Sequence, residues 1–276
     1  MDLPSAPPPP PVAGIAPPAP AVLVQGLAKA FGRKVAVQPT QLAVPRGSFY
    51  GVVGPNGAGK TTLIRMATGL LRPDQGRVIV DGIDVWADPV HAKANIGILP
   101  DERRMFERLS GRELLLYNGL LRGMDEKLVR ARIEDLLAVL ELSEDGNTLV
   151  VDYSAGMHKK VALAAALLHD PRVLFLDEPL ESVDPVSART IREVLSRLVD
   201  RGATVILSSH VMETVQQLCS HVAIMAAGVI VAAGPMDQVR RGRGLEDRFI
   251  ELVGAPSAEI EGRLAWLGTS SDSRSH

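Results

Sequence analysis

Cysteine is almost missing from this chain: Cys219 stands alone in 276 residues. It can form no internal disulfide and no cysteine metal cluster, which reads as a reducing, cytoplasmic compartment. A basic excess is missing too, since 30 Lys and Arg face 32 Asp and Glu, giving a formal net charge of -2 and a pI near 6.3. Nothing in that balance draws the chain to nucleic acid, so no nucleic-acid partner is expected. Long apolar runs are also lacking. The longest, residues 161–168, has less than half of the roughly 20 residues a membrane span needs, and charge flanks it. The N-terminus lacks the basic start of a secretory signal.

What is abundant there is proline, nine within the first twenty residues. Residues 1–20 therefore read as a disordered or polyproline tail. The chain as a whole is 46% hydrophobic and 22% charged, enough for one large core, or one core with a modest subdomain.

Residues 22–53 alternate short β-rich runs with turn residues: "AVLV", "FGRK", "LAVPRG" and "SFYGVVG". After "GPNGAGKTT" comes a helix-like run, "TLIRMATGLL". The segment "RVIVDGIDV" reads as a strand pair turning at Asp81 and Gly82. From about residue 89 to 146 the period becomes helical, in "GRELLLYNGLLRGM" and "EKLVRARIEDLLAVLEL". This predicts an inserted helical subdomain over about 89–160. Strand and helix patterns then alternate: "RVLFLD", "SARTIREVLSRLVDRG", "ATVILSS", "METVQQLC" and "VAIMAAG". Such alternation predicts an α/β fold with a mostly parallel sheet covered on both faces, whose ligands sit at the carboxyl ends of the strands. Residues 255–276 read as a tail with at most a short amphipathic piece over 260–267.

Gly54, Pro55, Asn56, Gly57, Ala58, Gly59, Lys60 and Thr61 match the phosphate-binding pattern G-x-x-x-x-G-K-[ST], followed by Thr62, between a predicted strand and a predicted helix. Glycines let the backbone approach phosphate, and the helix N-terminus adds partial positive charge. Lys60 is expected on the β and γ phosphates and the Thr61 hydroxyl on Mg²⁺. "VLFLDEP" supplies two carboxylates at the end of an apolar strand. Beside a phosphate loop, Asp177 reads as a Mg²⁺ ligand and Glu178 as the base that orients and deprotonates water. His210, closing "VILSSH", falls at the same sheet edge and reads as a γ-phosphate contact.

These pieces in this order resemble the ATP-binding cassette family, the ATPase subunits of ABC transporters, over residues 22–254. The resemblance implies a P-loop NTPase cassette: a mostly parallel sheet with flanking helices, a small antiparallel β region and an inserted helical subdomain. It implies ATP and Mg²⁺ as cofactors. Phe31 falls where the family stacks an aromatic on adenine, although an ordinary core phenylalanine is the other reading. Where the family's insertion carries a glutamine, "IGILPDERRMF" has Asp101, a carboxylate that either reaches the Mg²⁺ shell or is a plain surface acid. The family signature Leu-Ser-Gly-Gly-Gln corresponds to Tyr153, Ser154, Ala155, Gly156 and Met157. Ser154 and Gly156 keep the groups that meet the γ-phosphate of a second cassette, whereas Ala155 and Met157 depart. Asp184 matches the aspartate that lies across the dimer interface, beside Glu181 and Ser182, which depart from Ser-Gly. "LEDRFIELVG" is similar to the closing helix of drug-resistance and other ABC-2-type exporter cassettes.

The resemblance therefore implies an ATP-hydrolysing subunit that dimerises, with itself or a second type of cassette, around two ATP. It would drive a separate membrane permease from the inner face of the cell membrane, as an exporter. Two other readings remain at this point. One is a soluble ABC-type ATPase acting on ribosomes or DNA, against which stand the single cassette and the absence of a long coiled coil. The other is a non-hydrolysing nucleotide-binding regulator, against which stands Glu178. No Asn-Lys-x-Asp guanine reader supports a GTPase.

Overall fold

A run that is apolar almost throughout, such as "FYGVV" or the "VLFL" of "VLFLD", has no polar face to show to water and must be covered on both sides. In the computed structural model, which describes residues 19–100 and 106–254, those runs lie inside a six-stranded sheet. The chain first forms β1 (Val22–Phe31), β2 (Lys34–Val44) and β3 (Phe49–Val53), then α1 (Lys60–Ala67), β4 (Gln75–Val80) and β5 (Ile83–Asp84). Next come α2 (Pro89–Ala94), β6 (Ile96–Leu99), α3 (Gly111–Leu121), α4 (Glu126–Val139), α5 (Ala155–Leu167) and β7 (Val173–Asp177). It closes with α6 (Pro185–Asp200), β8 (Thr204–Ser209), α7 (Met212–Leu218), β9 (His221–Ala226), β10 (Val229–Pro235), α8 (Met236–Arg240) and α9 (Leu245–Val253).

The large sheet has the order β10-β9-β3-β8-β7-β6, parallel except for β10 at one edge. A smaller antiparallel sheet has the order β2-β1-β4-β5. Side-chain alternation along the parallel strands feeds two separate cores. Phe49, Val53, Leu174, Leu176, Val205, Leu207, Val222 and Ile224 face the core shared with α3 to α7. Tyr50, Val52, Val173, Phe175, Ile206, Ala223 and Met225 face the core shared with α1 and the antiparallel sheet. Each fully buried large side chain contributes about 1.5–3 kcal/mol relative to exposure. Gly51 lets α7 lie close to β3: a Cβ there would sit 2.2 Å from Val215 Cγ1.

Two sequence expectations need correction. "FGRK" is no separate β run: Phe31 pairs with Lys34 across a tight turn, so β1 and β2 form one long hairpin. The second concerns the start of the helical insertion near residue 89. Its first strand, β6, pairs in parallel with β7 from Ile96↔Val173 to Leu99↔Leu176 and so belongs to the main sheet. The helical layer, α3 and α4 packed on α5, follows that strand. Asp81 and Gly82 do form the turn between β4 and β5, with φ of 51° and 84°, the left-handed pair a two-residue hairpin needs.

Candidate active site

Between β3 and α1 the chain turns through residues 54–59 at the carboxyl edge of the large sheet. Backbone crowding dictates glycine at both ends of this loop. A Cβ on Gly54 would lie 2.1 Å from the Met225 carbonyl oxygen, and one on Gly59 would lie 2.4 Å from that of Ala36. Gly59 also adopts φ 106° as the N-cap of α1, whose first turn has no acidic residue. The unsatisfied N–H groups and positive dipole end of that helix are thus left for an anion.

Lys60 is buried and folds back over the loop, donating from Nζ to the carbonyl oxygens of Gly54 at 2.8 Å and Pro55 at 3.2 Å. Asp177 ends β7, and its Oδ1 accepts from Thr61 Oγ1 at 3.2 Å and from Ser208 Oγ at 2.5 Å. The next residue, Glu178, has φ 47°. That left-handed backbone costs a non-glycine residue on the order of 1–3 kcal/mol. It accompanies a carboxylate set between two side chains: Oε1 lies 3.5 Å from Lys60 Nζ and Oε2 3.2 Å from His210 Nδ1. The Glu178 N–H donates to Ser208 Oγ at 3.0 Å, and its carbonyl accepts from Lys159 Nζ at 2.8 Å.

A cleft of about 420 Å³ opens in front of this group, with Phe31, Asn56, Thr62, Glu178 and Glu181 among its walls. Phe31 is 51% exposed at its mouth and is not a core residue. Gly57, Ala58, Lys60 and Thr61 line the same cleft. Ser154 and Gly156 do not. They start α5, where Ser154 Oγ accepts from the Met157 N–H at 3.2 Å. Gly156 packs against the start of α6, where a Cβ would meet Asp184 Oδ2 and Ser187 Oγ, each at 2.7 Å. Asp184 caps α6 by accepting from the N–H groups of Val186 and Ser187. The Ser187 N–H, followed by its hydroxyl, holds the Asp184 carboxyl below the usual aspartate range. Asp101 lies outside the described residues.

Sequence reasoning missed Ser208 and Lys159. Ser208 had a signal, a hydroxyl interrupting the apolar strand "VILSSH", and register places it directly beside Asp177. Lys159 had none, because a lysine beyond the first turn of a helix reads as a solvated side chain, whereas this one is 4% exposed.

A family model described as ABC transporter matches residues 37–181, just over half of the chain. The chain belongs to the ABC transporter family. It is an ATP-binding, ATP-hydrolysing cassette of that family. This cassette is 38% identical over 247 residues to the daunorubicin resistance ATP-binding protein DrrA3 of Streptomyces coeruleorubidus, covering 90% of the chain and 78% of that relative. It is also 38% identical over 213 residues to the ABC transporter ATP-binding protein NatA of Bacillus subtilis (strain 168), covering 77% and 87%. A solved ATP-binding subunit of an ABC transporter superposes with a TM-score of 0.78 at 26% identity, over 84% of this cassette and 99% of that chain. Among the described residues no helix of the cassette is long and apolar enough to cross a membrane.

Proposed function

We propose that this cassette drives a separate membrane permease as an exporter, working as a head-to-tail pair of cassettes that closes on two ATP molecules. The observation that carries the reading is the Glu178 carboxylate, set between Lys60 and His210 directly beside the phosphate loop. In this reading the triphosphate seats on the N-terminus of α1 and on Lys60, with adenine against Phe31. Asn56, Gly57, Ala58 and Thr62 form the rest of that seat. Glu178 accepts the proton of the water that attacks the γ-phosphate, and His210 contacts the γ-phosphate and keeps Glu178 oriented. A hydroxyl and a carboxylate oxygen 3.2 Å apart, Thr61 Oγ1 and Asp177 Oδ1, are the hard oxygen donors that suit Mg²⁺ shared with phosphate. Held there, Mg²⁺ would neutralise charge on the β and γ phosphates.

Ser154 and Gly156 stand apart from the cleft of their own chain, which supports a role on the ATP of a second cassette, with Asp184 at the same face. ATP that touches both cassettes only when they are closed shifts the open–closed equilibrium by its differential affinity. That shift is the work delivered to the permease, which would hold the cassette on the inner face of the membrane. Outward transport is supported by similarity to a relative named for drug resistance and by the closing helix α9.

Purifying the tagged full chain from detergent-solubilised membranes of its own cells tests this. The expected result is a stoichiometric integral membrane protein whose presence raises the ATPase rate. Ribosomes or DNA recovered in its place would overturn the transporter reading.

A further inference from the structure

The peptide of Glu178 is gripped from two directions. Ser208 Oγ, on β8, accepts from its N–H at 3.0 Å, and Lys159 Nζ, on α5, donates to its carbonyl at 2.8 Å. The same residue carries the strained left-handed φ of 47°. Such a conformation persists only where its surroundings over-determine it. The Lys159 grip is costly in its own right. Its side chain is buried to 4% exposure, and a buried ammonium loses hydration that its partners must offset. A position that only had to fill space would take a methionine or leucine at no such cost. The Lys159 ammonium reaches the carbonyl of the residue that bears the base.

We propose that Lys159 is a positioning residue for ATP hydrolysis, holding the Glu178 backbone so that its carboxylate stays aimed between Lys60 and His210. The proposal rests on the reading of Glu178 as the base. Lys159 is not itself among the residues that line the cleft, whereas Glu178 is, so it acts through Glu178 and not on ATP. It lies five residues beyond Ser154 on the same helix, so the signature end of α5 and the base of one cassette share a rigid element.

The test uses the full chain and compares wild type, Lys159→Met, Lys159→Arg, Glu178→Gln and the Lys159→Met/Glu178→Gln double variant. Lys159→Met is expected to lower kcat roughly 100-fold, the scale of misplacing a catalytic group by about 1 Å, with KM and ATP affinity nearly unchanged. Lys159→Arg, which keeps a donor, is expected to recover most of that loss. In the Glu178→Gln background, Lys159→Met should cause no further loss in single-turnover phosphate release and should leave ATP-driven dimerisation intact. A raised KM at unchanged kcat, a fully additive loss in the double variant, or loss of the ATP-bound dimer would each overturn the proposal. Should Lys159→Met fail to fold, Lys159→Gln in the same two backgrounds gives the same reading. Glu178→Gln at wild-type turnover would overturn the base reading and this proposal with it. An inactive Glu178→Gln beside a Lys159→Met variant with wild-type kcat would overturn this proposal alone.

Discussion

Gly156 shows how one missing atom sets two helices together. Its Cα faces Asp184 and Ser187 so closely that a methyl would sit 2.7 Å from an oxygen of each. Gly156→Ala must push the start of α5 away from the start of α6, at a cost of about 1–3 kcal/mol for overpacking. We expect a lowered thermal midpoint and a weakened ATP-driven dimer; unchanged values of both would show that the two helix ends shift freely. Ala155 differs, because it replaces a family glycine in the first turn. Ala155→Gly is expected to tighten the ATP-bound dimer, and an unchanged dimer constant would show that the methyl is tolerated. At this scale the sequence was most legible where chemistry needs a fixed local spacing, as in residues 54–61 followed by Asp177 and Glu178. Ser208 showed only as a hydroxyl in an apolar strand and Lys159 not at all, because each acts on a residue about 20 to 30 positions away.

The junction of α5, β6 and β7 gives the elements a pH response. His169, just past α5, donates from Nε2 to the Ile96 carbonyl of β6 at 3.0 Å. Its Nδ1 is buried without a hydrogen-bond partner among the described residues. Burial first, then the nearby Arg122 and, more weakly, Arg132 lower its pKa from 6.5 to about 4, against the opposing hydrogen bond to the Ile96 carbonyl and the charge of Asp170. Between those values the unfolded chain binds a proton that the fold does not. Stability therefore rises with pH across the window and is lost as pH falls from about 6.5 toward 4. Urea midpoints at pH 7.5 and 5 should fall less in His169→Gln than in wild type; an equal fall in both would remove His169 as a source. Strand β6 itself shows why element membership escaped the sequence. Four residues carry too little pattern to choose between two layers, and the partner that decides, β7, lies more than seventy positions away.

Across the whole molecule, the alternating strand and helix pattern foretold the α/β architecture well. Fully apolar strands can exist only between two covered faces, and this sheet has one core on each side. Cys219 reports on that packing, since it is buried and its thiol pKa is pushed up by that burial. A thiol reagent should label it only as fast as the fold opens, with labelling accelerated by denaturant; rapid stoichiometric labelling of the native chain would contradict the packing. The site itself is split at this scale. Lys60, Thr61, Asp177, Glu178 and His210 converge on the phosphate loop, while Ser154 and Gly156 stand off the cleft, so one chain presents two halves that do not meet. The measurement that most directly tests the resulting account is the solution mass of Glu178→Gln by sedimentation equilibrium, with and without ATP. The account predicts a chain of 29.5 kDa without nucleotide and a species of twice that mass with ATP. A variant that binds ATP yet keeps the single-chain mass would contradict it.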